Sequence, residues 1–190
     1  MNTDKIINFL FEIASLRRLT RSHRQFTNVS DNISDHSFRV AVIGMMLAGL
    51  EKVDLNKVMK MTLFHDVLEA RTGDANLINK QYIDLHEEQA REDQMEELPI
   101  GQEILELLKE YEKRESREAI VAKDADLIDQ MVLQQEYFYK DKENNQVWQG
   151  FTEKKLKTKS AKELAKKIRE SNPVEWLYRL TEHKTGKKID

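Results

Sequence analysis

An all-α fold is the expectation for this chain of 190 residues, and three features carry it. Only two Pro and six Gly interrupt the chain, apolar residues recur at spacings of three and four, and no stretch alternates apolar with polar as a strand does. From Asp4 to Leu19, the residues Ile6, Ile7, Leu10, Ile13, Ala14 and Leu16 form one stripe, so a first helix is expected. Thr20 to Ile33 has no periodicity and reads as a loop leading into Ser34, a good N-cap for a second helix from Asp35. His36, Val40, Ile43, Leu47 and Leu50 line the inner face of that helix, whose Ala and Gly permit close packing. Asp54 caps a third helix through Val58, Met61, Thr62, His65, Leu68 and Glu69, ending near Arg71-Thr72-Gly73, where Gly can supply a left-handed residue.

Gly73 to Tyr82 reads as a loop, and Ile83 to Leu98 is so acidic that only a narrow face can be buried. Pro99 and Gly101 break the chain before a short helix from Glu103 to Tyr111. Glu115 to about Lys140 is expected to be one long helix, since Ala119, Ala122, Leu127, Met131, Val132 and Leu133 keep helical spacing without a breaker. Lys140 to Thr158 reads as a polar connection that holds Trp148 and Phe151. Ser160-Ala-Lys-Glu163 and Asn172-Pro-Val-Glu175 read as capping boxes that open two closing helices.

Composition narrows what such a fold could do. Lys plus Arg is 31 against 34 Asp plus Glu, a net charge of −3, which disfavours a general polyanion binder, so no nucleic-acid partner is expected. Cys is absent, which excludes disulfides, thiolate metal sites and Cys nucleophiles. The apolar run Ala41 to Leu50 is far short of the roughly 20 residues that cross a bilayer, and Met1-Asn2-Thr3-Asp4 lacks a basic segment. A soluble, cytoplasmic chain without a membrane partner is the expectation.

The informative residues are ionisable groups where the helical stripes call for hydrocarbon. His65 falls on the face of Val58, Met61 and Thr62, with Asp66 beside it and Glu69 one turn on. His36 opens the stripe of the second helix, and Asp126 shares a face with Ala119, Ala122 and Leu133. Buried carboxylates are costly unless paired, and one divalent cation would remove that cost. Two imidazoles with two carboxylates suit Mn²⁺, Fe²⁺, Co²⁺, Zn²⁺ or Mg²⁺. A His-Asp dipeptide alone is common by chance; the weight lies in the set of His36, His65, Asp66, Glu69, Asp74 and Asp126.

That set resembles the HD-domain metal-dependent phosphohydrolases, an all-helical superfamily. Ser34-Asp35-His36-Ser37 is similar to its first ligand segment, the stretch from His65-Asp66 through Glu69 to Gly73-Asp74 to the central one, and Lys123-Asp-Ala-Asp126 to the last. Glu four and Asp nine residues after His65, with Gln134-Gln-Glu136-Tyr137 downstream, resemble the 5′-deoxynucleotidase branch. The likeness covers most of the chain and implies one domain over 1–190, with a metal-binding core at about 20–142 and a C-terminal helical extension at about 158–186.

The resemblance implies release of phosphate from nucleoside or deoxynucleoside 5′-monophosphates. His36, His65, Asp66 and Asp126 would hold one divalent metal ion, Glu69 and Asp74 would serve catalysis, and Arg21 would bind phosphate, with Lys80 as a second candidate. It also implies a homodimer. The rivals are a phosphodiesterase or pyrophosphohydrolase of the same superfamily, and a non-catalytic helical metal-binding module. Other branches of the superfamily carry a Glu-Asp pair, a further His, or a Gly-Tyr-Pro tripeptide near the ligands, none of which stands here. One departure concerns the base: the branch has Trp after the phosphate-binding Arg, whereas Arg21 is followed by Ser22 and His23. Trp148, Trp176 and Tyr178 read as core or dimer-contact residues rather than a stacking platform, and His86, His183 and the Lys-rich run Glu153 to Lys167 as solvated.

Overall fold

The computed structural model describes residues 2–25 and 30–186, and among these it is all helical apart from one isolated antiparallel bridge between Thr20 and Asn32. Helix α1 (Thr3–Ser15) is capped by Asn2 and runs into a 3₁₀ turn at Leu16–Arg18. The bridge, with Arg21 N donating to the Asp31 carbonyl (3.1 Å) and Ile33 N to that of Leu19 (3.0 Å), ties together the ends of the expected loop. Residues 26–29 of that loop lie outside the described residues.

Helix α2 (Ile33–Glu51) begins two residues earlier than Ser34 would place it. Asn32 is the cap: its side chain accepts from Asp35 N, an alternative that a run of Asn, Ser and Asp leaves open in sequence. By length and composition α2 could cross a membrane, yet here His36, Val40, Gly44 and Leu47 are buried against α3 (Leu55–Phe64) and α7 (Arg117–Phe138). Gly44 makes the approach to α3 possible, since a Cβ there would meet Thr62 Cγ2 at 2.9 Å. Leu50, expected to face inward, is exposed in the last turn of α2.

Asp54 caps α3 as expected, but the helix does not continue through Glu69. His65 Nδ1 donates to the Thr62 carbonyl, and the bonds that follow join Val67 to Phe64, Glu69 to Asp66, and Ala70 to Val67, three residues back. This tighter winding ends in the short α4 (Glu69–Thr72) and at Gly73, whose φ of 74° supplies the expected positive-φ stop. Helices α5 (Glu87–Met95) and α6 (Gly101–Lys113) follow. The Glu12 carboxylate holds α1 to this region through Arg71 and Gln94.

The stretch expected as a polar connection contains a further helix, α8 (Lys142–Glu153), capped by Asp141. Its inward face carries amides instead of hydrocarbon. Asn145 and Gln149 both donate to Gln135 Oε1 on α7 (2.7 and 2.9 Å), which hides the helix from a search for apolar stripes. Helix α9 (Lys159–Glu170) is capped by Thr158 rather than Ser160, and Val174, not Asn172, is the residue before α10 (Glu175–Thr185). Leu156, Ala161 and Ala165 join the core built by α2, α3, α6 and α7, whereas Trp176, Leu177 and Leu180 of α10 stay exposed.

Asp124, fully buried on α7, fixes the entry to α9: its carboxylate accepts from Lys157 N, Thr158 N and Thr158 Oγ1 at 2.7–3.2 Å. Asp124→Ala strands these donors and is expected to lower stability by about 2–3 kcal/mol, read by urea denaturation, with the far-UV circular dichroism of the folded state retained. A loss below 0.5 kcal/mol, taken roughly as the scale of an ordinary surface substitution, would mean that water replaces the carboxylate without cost.

Candidate active site

Three elements bring the expected ligands together. His36 stands in the first turn of α2, His65 and Asp66 follow the end of α3, and Asp126 lies in the first half of α7. His36 Nε2 is 3.3 Å from His65 Nε2, 3.3 Å from Asp66 Oδ2 and 3.4 Å from Asp126 Oδ1. His65 Nε2 is 3.2 Å from Asp66 Oδ2. One donor atom from each of His36, His65 and Asp126 falls within 4.8 Å of the others.

The chemistry of these four atoms calls for a cation. The Thr62 carbonyl can only accept, so His65 Nδ1 carries the proton and Nε2 a lone pair (2.7 Å). The Asp129 carboxylate likewise accepts from His36 Nδ1 at 2.7 Å. In the neutral rings, two lone pairs and two carboxylate oxygens then face one another with no hydrogen between them, an arrangement that a divalent ion or a bound proton must relieve. Without the ion, the proton takes that place. Burial alone would lower the His36 pKa, but hydrogen bonds to Asp129 and Asp66 carry it up to about 9. Burial opposes ionisation of Asp66 and Asp126, yet His65 and the other cations beside Asp66 hold it well below the usual carboxylate range. Lys123 and the two imidazoles hold Asp126 at about 2. The residues present therefore fit a divalent cation.

Asp129, absent from the sequence-based set, fixes the tautomer of His36, and Arg39 in turn holds Asp129 (Nε to Oδ1, 2.6 Å) and Asp31 (2.8 Å). The signal was present: Asp129 lies three residues after Asp126, and Arg39 three after His36, each on its ligand's helix face.

Above the four donors opens a cavity of about 640 Å³, lined among others by Arg21, Glu69, Asp74, Lys80 and Lys123. Arg21 Nη1 donates to Asp66 Oδ2 at 2.8 Å. Asp74, past the Gly73 turn, accepts from the backbone N of Ser22 at 2.7 Å and stands 3.7 Å from Arg21 Nε, so it holds the arginine segment against the site. Lys80 lines the rim but pairs with Glu87 at 2.8 Å. Lys123, missed in sequence, pairs with Asp126 Oδ2 at 2.6 Å, one turn away on α7. Glu69 Oε2 is buried without a hydrogen-bond partner. Burial, reinforced by the negative charges of Asp66 and Asp74, pushes the Glu69 carboxyl up to about 9, which favours its neutral form.

Neither Trp148 nor Trp176 is a core residue. Trp148, on the overlooked α8, is 45% exposed and lines this same cavity, while Trp176 is 64% exposed on α10.

Among curated relatives, 5′-deoxynucleotidase HDDC2 of Homo sapiens is 30% identical over 139 residues, covering 70% of this chain and 68% of that protein. The protein of the same name from Dictyostelium discoideum is 32% identical over 119 residues, 56% of this chain and 63% of its own. Among solved structures, a conserved hypothetical protein of Pyrococcus furiosus superposes with a TM-score of 0.71 at 27% identity, covering 87% of this chain and 99% of that one. The cyanophage S-2L HD phosphohydrolase DatZ, bound to dA and one catalytic Zn²⁺, shares the fold at a TM-score of 0.56 and 16% identity over 85% of this chain and 96% of its own. An HD domain model matches residues 13–170, a span that takes in every element lining the cavity, and the chain therefore belongs to the HD domain family.

Proposed function

We propose that the protein is a metal-dependent 5′-nucleotidase that releases inorganic phosphate from nucleoside or deoxynucleoside 5′-monophosphates. The observation that carries this reading is the meeting of four lone-pair donors beside a cavity that also presents a fixed cation, Arg21, and a protonated carboxyl, Glu69. The relatives named 5′-deoxynucleotidase support the substrate class.

His36, His65, Asp66 and Asp126 would hold one divalent ion, Mn²⁺, Co²⁺, Fe²⁺, Mg²⁺ or Zn²⁺. Bound there, it would lower the pKa of a water and neutralise charge on the phosphate. Asp129 keeps the His36 lone pair turned toward the site. Arg21, held by Asp74 and lying against Asp66, offers its guanidinium to the non-bridging phosphate oxygens, with Lys123 and Lys80 adding positive charge at the rim. Glu69 gives its proton to the departing 5′ oxygen, a role its raised pKa suits. Asp74, spent on Ser22 and Arg21, acts by position rather than by proton transfer.

We read the whole chain as one catalytic unit, residues 1–190, with its ligands inside about 20–142 and the helices at about 158–186 as an extension. A homodimer belongs to the same reading. The apolar face of α10 (Trp176, Leu177, Leu180) and the exposed α2 stripe of Phe38, Val42 and Met46 support it, and sedimentation of the full chain tests it. The deciding experiment for the activity is phosphate release from all ribo- and deoxynucleoside 5′-monophosphates with each of the five ions. Release that needs an added ion and stops with chelator is expected; release from none of them would overturn the assignment.

A further inference from the structure

Asp126, Gln130, Gln134 and Phe138 follow one another at intervals of four along α7, and all four line the cavity. One face of this helix thus leads from the candidate metal ligands to an aromatic end, about 18 Å along the axis from Asp126 to Phe138. Helix α8 folds back along α7 on the adjacent row of Met131 and Gln135. Gln149 donates to the Met131 carbonyl (3.4 Å) and to Gln135 Oε1 (2.9 Å), which sets its neighbour Trp148 between about 8 and 14 Å along α7 from Asp126. Trp148 is partly exposed and lines the same cavity as Arg21 and Glu69.

Gln134 supplies a second observation. It is more than nine-tenths buried, it lines the same cavity, and its Oε1 has no hydrogen-bond partner. A buried amide oxygen left unpaired is costly, and a donor on a bound molecule would satisfy it. An indole and an orphaned amide lining one cavity with Arg21 and Glu69 are the pairing that a nucleobase uses: a π-face to stack and an edge to hydrogen-bond.

We infer that Trp148 of α8 is the base-stacking wall of this site and that Gln134 accepts a hydrogen bond from the bound nucleoside. This deepens the nucleotidase reading and rests on it for the position of the phosphate. Ser22, next to Arg21, offers no aromatic surface, whereas the α7–α8 hairpin brings the indole of Trp148 to the cavity.

The test has two arms on the full-length protein. In the first, parent, Trp148→Ala, Trp148→Phe and Gln134→Leu are assayed with dAMP and with deoxyribose 5-phosphate, which keeps the phosphate and lacks the base. Trp148→Ala is expected to raise KM for dAMP about tenfold or more relative to deoxyribose 5-phosphate, with kcat changed far less, and Trp148→Phe to recover most of the loss. Gln134→Leu shifts the same ratio in the same direction. In the second arm, Trp176→Phe leaves Trp148 as the one remaining tryptophan, and deoxyadenosine, which has no phosphate, is expected to quench it where deoxyribose 5-phosphate does not. Equal effects of Trp148→Ala on the two phosphates, or no quenching by deoxyadenosine, would overturn the assignment. If the parent releases phosphate from none of the nucleoside 5′-monophosphates, the nucleotidase reading fails, and the fluorescence arm alone still decides for or against Trp148.

Discussion

Asp126→Ala is expected to cut phosphate release by about 10³-fold or more at saturating ion and substrate, and Asp66→Ala to do the same. Each removes one of the four donors, and neither can be replaced by a neighbour, because Asp129 and Asp74 are already committed to His36 with Arg39, and to Ser22 with Arg21. Thermal unfolding separates this effect from damage to the fold. In the parent, an ion at about 100 times its Kd adds about 2.7 kcal/mol of stability, and this increment should vanish in both variants. Stability without ion should fall modestly for Asp126→Ala, since Lys123 and the imidazoles lose the carboxylate whose charge they favour. Variants that kept the parent's turnover and its ion-dependent shift would remove Asp66 and Asp126 from the ligand set. The two are also expected to differ from each other: Asp66→Ala releases Arg21, so it should weaken substrate binding as well, whereas Asp126→Ala releases only Lys123.

The parts of this site legible in sequence were those whose polarity contradicted a helical stripe. His36, His65 and Asp126 each occupied a position that hydrocarbon should have filled, and a charged group inside a core needs a reason. Asp129 is as buried as the ligands, but its partners His36 and Arg39 lie 93 and 90 residues away in the chain, so its spacing alone named no role, whereas Arg39 and Lys123 sit on partly exposed helix faces, where a charge needs no reason. Helix α8 was hidden for the converse reason. Gln135, Asn145 and Gln149 bury polar side chains by satisfying one another, so the α7–α8 contact leaves little trace in hydropathy although it positions Trp148. The caps at Asn32 and Thr158 were each misplaced by two residues, because several side chains in a row could accept the same backbone donor and only the tertiary path chooses among them. The break after His65 was illegible as well, since local periodicity continues across it while the Thr62 carbonyl turns to the imidazole.

Glu69→Gln should lower kcat by about 10²–10³-fold while changing ion affinity and KM by less than about threefold, a pattern that separates proton transfer from metal binding. The amide keeps the size of the carboxyl and removes only the transferable proton, so a purely structural Glu69 would give a variant as active as the parent. The pH profile carries the sign. Burial and the nearby Asp66 and Asp74 raise the Glu69 pKa to about 9, so the protonated acid is the working form and is full at neutral pH. As pH rises through that pKa the proton is lost, and kcat of the parent should fall on the alkaline side. A bound cation, being positive, would pull the midpoint down from about 9 toward neutrality. In Glu69→Gln the descending limb should disappear along with most of the rate. If the limb persisted unchanged in the variant, another group would be donating the proton. Tyr111 would be the first to examine, since its buried hydroxyl lacks a partner and its ring lies 5.7 Å from that of His65.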